Sequence, residues 1–317
     1  MRCAVFPCLG LGDGLISLIL SYNLALEGHR VDTFHPFMAQ MNPLFPTTPF
    51  LSRGDQPPQS LSHYDTIFIF YEKSDWMETL LKEALTHYRG KTRVLNPIAT
   101  PFCDYPFWEE GGFDGTKPFG ENLVNYCAKK LNIPKPVQSN GITLPDHVTL
   151  KKCPKRVVIH PTSSREGKNW TKGKYLRFAN QLEKRGFEPV FILTKQEKEL
   201  WPEIEAPVFE NLVELSYFVA ESGFMVGNDS GIGHLASCLG VPTLTICRSK
   251  MGADFWRPCW AKGEVIIPPK WIPNLKGMRW RDKKWQHFVP VSKVLDRFLD
   301  LAKTCVLGDQ GAALIGK

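Results

Sequence analysis

Apolar positions along the chain alternate between short continuous runs and longer stretches at helical spacing. The first run, Cys3 to Phe6, is strand-length and leads into the glycine-rich CLGLGDG. Apolar residues from Leu15 to Glu27 then recur with a helical period, Gly28 stops the helix, and VDTF opens a second strand. Runs at Thr66 to Phe70 and Arg93 to Leu95 predict further strands of that sheet. Asn122 to Leu131 predicts a helix that the following IPKP cannot extend. Between Ile142 and Lys155 the chain is polar, proline-containing and without a clear period, which marks a linker. Beyond it the pattern starts again. RVVIH, EPVFIL, GFMVG and PTLTIC predict strands, with helices between them at Lys172 to Arg185, Asn211 to Glu221 and Ile232 to Leu239. Pro290 to Cys305 carries a clean apolar stripe (Val294, Leu295, Phe298, Leu301, Ala302) and is expected to close back on the body.

Strands alternating with helices imply parallel sheets joined by right-handed crossovers, with ligands at the carboxyl ends of the strands. The expectation is an α/β protein of two Rossmann-like domains facing each other across a cleft. They are residues 1–150 and 151–290, with a closing helix and tail over 291–317. A chain of 317 residues suits two such domains, and 43% hydrophobic with 22% charged residues is ordinary for a globular protein with large cores. The apolar run Leu15 to Leu20 is far short of a bilayer span, and no cleavable leader is read at the start. Nine cysteines without CxxC pairs fit free thiols in a reducing cytoplasm better than a disulfide framework or a zinc ribbon. The formal charge of +7 is uneven: 12 Lys+Arg stand against 15 Asp+Glu up to Leu150, and 27 against 17 beyond it. A basic second half suits a polyanionic ligand or an anionic surface. No recognised nucleic-acid-binding motif accompanies it, so nucleic acid is not an expected partner.

The stretch GNDSGIGHLAS, Gly227 to Ser237, sits between a strand and a helix. Gly231 and Gly233 let the backbone approach a ligand, Asp229 and Ser230 are able to cap the helix, and its first N–H groups suit an anion. His234 would add a donor or a positive charge. By itself this pattern is also that of an ordinary capped helix. Met225 to Ile246, with N-D-S-G-x-x-H-L-A-S-x-L-G-V-P-T, resembles the signature of glycosyltransferase family 9, the heptosyltransferases that build the inner core of bacterial lipopolysaccharide. The resemblance implies the GT-B fold, an N-terminal acceptor domain and a C-terminal donor domain. It also implies metal-independent, inverting transfer from a nucleotide-diphosphate sugar, typically ADP-heptose, with no cofactor. Asn228, Asp229, Ser230, Gly231, Gly233 and His234 become donor-binding candidates.

Two further stretches resemble the same family. In HPTSSREGKNW, His160 to Trp170, Ser163 and Ser164 would bond the diphosphate and Lys168 would neutralise its charge as it leaves; a solvated loop lysine is the plainer alternative, and His160 reads as a buried histidine at a strand end. In CLGLGDGLISLIL, Asp13 matches the family's general base, flanked by Gly12 and Gly14 on the acceptor side; the alternative is that Asp13 only caps the following helix. In LTKQEKEL, Thr194 and Glu197 are candidates for holding the donor's ribose or base, although a surface glutamate would look the same. Two places differ from the family pattern. CRSKMGAD follows PTLTIC, offering Arg248, Ser249 and Lys250 as phosphate contacts, and Pro7 and Cys8 stand where an arginine is expected.

Five tryptophans (Trp256, Trp260, Trp271, Trp280, Trp285) lie among Arg and Lys after Phe255. They fit an interfacial patch, stacking on sugar rings, or packing of the closing helix. The aromatic and acidic Pro101 to Gly115 suits an acceptor-recognition loop. The expected partners are a nucleotide-diphosphate sugar and a glycan or glycolipid acceptor. A cytoplasmic monomer in peripheral contact with the inner membrane is expected. A nucleotide-sugar epimerase of similar two-domain fold and a non-catalytic nucleotide-sugar-binding protein are the other classes weighed.

Overall fold

The computed structural model describes residues 1–55, 57–58, 61–95, 114–274 and 280–315, with side chains of the last helix described to Cys305. The acceptor-loop segment proposed at Pro101 to Gly115 lies outside the described residues up to position 113. The chain divides into two compact units, Met1–Pro145 with Asn211–Val213, and Asp146–Glu210 with Glu214–Lys317.

The first unit runs β1 (Arg2–Phe6), α1 (Leu11–Leu26), β2 (Arg30–His35), β3 (Phe50–Ser52), β4 (Thr66–Phe70), α2 (Asp75–His87), β5 (Thr92–Leu95) and α3 (Phe119–Lys129). Its sheet is parallel in the order β3-β2-β1-β4-β5. The glycine-rich stretch, expected as a turn, is mostly helix: the Gly14 N–H already bonds the Gly10 carbonyl at 2.9 Å, so Gly12, Asp13 and Gly14 form the first turn of α1. A side chain at Gly14 would collide with the Met38 sulfur and stand 3.1 Å from the His35 ring, so glycine lets α1 lie close on β2. Leu15, Ile16, Leu18, Ile19, Leu20 and Leu24 of α1 are all buried, and so are the hydrogen-bonded Ser17, Ser21 and Asn23. Asn23 ties α1 to the segment before the linker by accepting from the Val137 N–H (2.7 Å) and donating to its carbonyl (2.8 Å).

The helix α2 is not among the elements predicted from the sequence. Its start is capped by Ser74, which accepts from the Met77 N–H, and Met77, Leu80, Leu81 and Ala84 lie on one buried face at i, i+3, i+4 and i+7. They pack with Ala4, Phe6, Ile67 and Ile69 of the central strands.

The second unit runs β6 (Cys153–His160), α4 (Lys172–Glu183), β7 (Glu188–Phe191), α5 (Lys195–Leu200), α6 (Leu212–Ala220), β8 (Ser222–Asn228), α7 (Gly231–Cys238), β9 (Thr243–Ile246), α8 (Lys250–Phe255), β10 (Gly263–Ile266), α9 (Trp280–Lys283) and α10 (Val291–Ile315). Its sheet is parallel in the order β10-β9-β8-β6-β7. The expected linker is shorter than the pattern implied, because β6 begins at Cys153 and absorbs its last three residues. A side chain at Gly227 would collide with the His160 carbonyl on the neighbouring strand, so that glycine permits the close pairing of β8 with β6. The apolar stripe of α10 (Val294, Leu295, Phe298, Leu301, Ala302) packs on Phe178 and Leu182 of α4 and on strand residues Val157, Phe224 and Leu244.

In each unit the strand order reverses beside the first strand, between β1 and β4 and between β6 and β8. Open parallel sheets bind ligands in the crevice outside such a switch point. No helix among the described residues is long and apolar enough to cross a membrane. Phe298 is fully buried and its ring lies 5.0 Å from Phe187 and 5.3 Å from Phe224. Phe298→Ala is expected to cost about 3–5 kcal/mol in urea unfolding; a loss near zero would mean that α10 does not close this core.

Candidate functional site

At the switch point of the second unit, β6 ends in His160 and β8 ends in Asn228. The chain leaves β6 in the loop Pro161–Trp170 and returns to α4. The Asn228 amide bridges both ends of that loop: Nδ2 donates to the Pro161 carbonyl at 2.5 Å, and Oδ1 accepts from the Trp170 N–H at 2.9 Å. Asn228 is 1% exposed, so its side chain builds the site and does not meet a ligand. Within the loop the Ser163 hydroxyl donates to Asn169 Oδ1 at 2.7 Å, and Ser164 is exposed. Lys168 Nζ lies 3.1 Å from Asp229 Oδ2, which places an ammonium where β8 hands over to α7. The two side chains are 35% and 15% exposed, so the pair is a weak one whose lysine can turn to a stronger anion.

Ser230 occupies the cap position of α7, but neither it nor any other side chain caps the helix. Its hydroxyl lies 3.0 Å from His160 Nδ1, and Asp229 is spent on Lys168. The capping role expected of these two residues is therefore replaced by contacts to the β6 loop, which leaves the helix end without a side-chain acceptor and open to an anion. Nor does His234 bring positive charge. It is 4% exposed, and burial pushes its pKa below the ordinary value despite the opposing charge of Asp229.

Thr194 and Glu197 are engaged with each other in a capping box at the start of α5. Glu197 Oε1 also accepts from the Thr162 hydroxyl and lies 3.6 Å from His160 Nε2. A chain of contacts thus runs Glu197–Thr162–His160–Ser230, joining α5, the end of β6 and the start of α7. Burial alone would raise the Glu197 pKa; the His160 ring, the Thr162 hydroxyl and the Thr194 N–H outweigh it and hold the carboxyl down at about 2. These two residues brace the site, where the sequence suggested contacts to ribose or base. Of the three residues offered after β9, Ser249 caps α8 and Lys250 pairs with Asp254, while Arg248 comes beside Gly167 of the loop.

At the switch point of the first unit, Asp13 is half-buried in the first turn of α1, and a side chain at Gly10 would collide with its carboxylate. Gly12 and Gly14 are buried, so the acceptor contacts expected of them give way to packing. Around Asp13 the structure gathers groups that no motif announced. Arg53 is 7% exposed, lies 3.6 Å over the Trp76 ring and pairs with Glu72 at 3.5 Å. Glu72 in turn accepts from the Leu9 N–H at 2.8 Å, tying the end of β4 to the turn that carries Asp13. Arg53 supplies a guanidinium near the end of β1, where the sequence has Pro7 and Cys8. Burial, followed by the charges of Asp13 and Glu72, pushes the Cys8 thiol well above its ordinary value, and Arg53 opposes them. A neutral thiol there is no nucleophile. Among the described residues no three His, Cys, Asp or Glu gather as a metal site.

A search of curated proteins gave no match. The family model for glycosyltransferase family 9 (heptosyltransferase) matches residues 121–271, which include the whole Pro161–Trp170 loop and the β8–α7 junction. Over that segment the chain matches a glycosyltransferase family 9 domain. Its fold is that of solved GT-B glycosyltransferases. It is similar to the E. coli ADP-heptose lipopolysaccharide heptosyltransferase II (16% identity, 96% of this chain and 99% of that one, TM-score 0.66). It is also similar to the glycosyl transferase family 9 protein of Veillonella parvula (15%, 96% and 97%, TM-score 0.70) and to E. coli heptosyltransferase WaaC solved with ADP (13%, 95% and 100%, TM-score 0.61). At these identities the likenesses are of fold. Asp13 lies outside the segment that the family 9 model matches.

The low pKa of Glu197 gives the family 9 domain a testable acid limb. A carboxyl held at about 2 contributes stability above its ordinary value of 4.5 and loses it as pH falls toward 2. Glu197→Gln is expected to cost about 2 kcal/mol at neutral pH, with the gap to wild type closing as pH falls through that window. A gap independent of pH would remove the charge from this account.

Proposed function

We propose that the protein is an inverting, metal-independent glycosyltransferase that moves a heptose-like sugar from ADP-heptose, or a closely similar nucleotide-diphosphate sugar, to a lipopolysaccharide core or other cell-envelope glycan at the inner face of the plasma membrane. The observation that carries this reading is Lys168 paired with Asp229 beside the start of α7, a helix with no side-chain cap. When the glycosidic C–O bond breaks, negative charge builds on the departing diphosphate. A fixed ammonium and the N–H groups of a helix end stabilise that charge, with no reorganisation needed during the reaction. Lys168 exchanges a weak partner, Asp229, for the diphosphate. Arg248 adds a second cation beside the same loop.

Asp13 is the proposed base. It takes the proton of the acceptor hydroxyl as that oxygen attacks the anomeric carbon from the side opposite the diphosphate, which inverts the configuration. The nucleoside diphosphate leaves with the electrons of the broken bond. Arg53 and Glu72 hold the turn that carries this base. ADP-heptose as donor is supported by the family match and by the ADP-heptose enzymes among the similar folds.

Asp13→Asn is expected to lower transfer by about 10²- to 10⁴-fold while ADP still raises the melting temperature in the presence of EDTA. Transfer at the wild-type rate would remove Asp13 as the base, and a requirement for added metal would contradict the role given to Lys168.

A further inference from the structure

The tryptophans after Phe255 do not act together. Trp285 is fully buried and donates its indole N–H to the Gly167 carbonyl at 2.9 Å; Trp256 and Trp260 are half-buried. Trp271 and Trp280 are 79% and 56% exposed. Their two segments are held side by side: the Arg281 N–H bonds the Pro273 carbonyl, the Arg281 guanidinium bonds the Lys270 carbonyl at 3.1 Å, and the Asp282 N–H bonds Asn274 at 3.3 Å. Ile272, 2% exposed, pins the first segment beneath its exposed neighbour Trp271. Lys270, Lys283 and Lys284 are exposed around the two indoles, and Arg281 is half-exposed. From Trp256 to Lys293 the chain holds nine Lys+Arg against two Asp+Glu, a surplus equal to the net charge of the whole protein.

We propose that Trp271 and Trp280, with Lys270, Arg281, Lys283 and Lys284, form a docking surface for an anionic phospholipid bilayer. Exposed indoles next to ammonium groups match the headgroup layer, where the ring buries its apolar body and the cations meet acidic headgroups. A purely electrostatic partner would use the cations and leave two large apolar rings in water. The inference rests on the proposed membrane-linked acceptor and adds the face that meets the membrane. It also connects that face to the chemistry, because buried Trp285, shortly after Trp280, holds the carbonyl of Gly167 beside Lys168.

The test is co-sedimentation of the full chain with vesicles of phosphatidylcholine alone or mixed with phosphatidylglycerol. Binding is expected only to the anionic vesicles. It should weaken at least about tenfold in Trp271→Ser/Trp280→Ser and about fivefold per charge removed in Lys283→Gln/Lys284→Gln. Stabilisation by ADP should be unchanged in both variants, which shows that they fold. Wild-type chain that binds vesicles but not ADP would refute the transferase reading and leave this surface standing. Equal binding to neutral vesicles, undiminished binding by the tryptophan variant, or retention on heparin without vesicle binding would each overturn the proposal.

Discussion

The second unit depends on one buried amide. Asn228 stands at the end of the central strand β8 and holds both ends of the loop that follows β6. Buried backbone groups must find partners, and leaving one unpaired costs about 1–3 kcal/mol. By satisfying two of them, the side chain ties together the ends of a ten-residue excursion whose own regular structure is a single 3-10 turn at Glu166–Lys168. The loop's candidate groups are placed by that clamp. Lys168 projects from the loop, Ser163 is locked to Asn169 within it, and Trp170 closes it by donating its indole N–H to the Val289 carbonyl, just before α10. The core and the candidate site are thus two sides of one arrangement, with Trp170 and Trp285 buried beneath the loop.

A second constraint is that polar side chains near α7 are committed elsewhere. Ser230 turns to His160, Asp229 to Lys168, and His234 is buried and held toward its neutral form. A helix end served by no side chain retains its attraction for an anion, and the ammonium beside it adds to the same field. In the first unit the equivalent position is built differently. Asp13 sits on the helix proper, and Glu72 and Arg53 brace the preceding turn from β4 and β3.

The alternation of strands and helices was legible because parallel strands buried on both faces are continuous apolar runs, as in RVVIH and GFMVG. The short β3, α8 and β10 escaped because three to six residues carry too little period to stand out. The helix α2 carries its own signals, a start in Ser74 and a stripe from Met77 to Ala84. Lys168, Asp229 and Asp13 lay in motifs. Arg53 and Glu72, gathered near Asp13 in the first unit, did not, since they come from separate strand ends that only the fold brings together; a strand end at a switch point was the available clue for Glu72. Thr194 and Glu197 show how one pattern carries two readings: T-x-x-E is also a capping box, and that box is formed. The tryptophans divided for a similar reason, since only packing separates the buried Trp285 from the exposed Trp271 and Trp280.

The central claim is that the Asn228 clamp positions this loop to hold a diphosphate. Calorimetric titration of wild type and Asn228→Ala with ADP and with adenosine tests it directly. The account predicts that ADP binding weakens at least about tenfold, as expected when a clamp worth a kcal/mol or more is lost, while adenosine binding is unchanged in a variant that remains folded. Equal ADP affinity in the two proteins would contradict it.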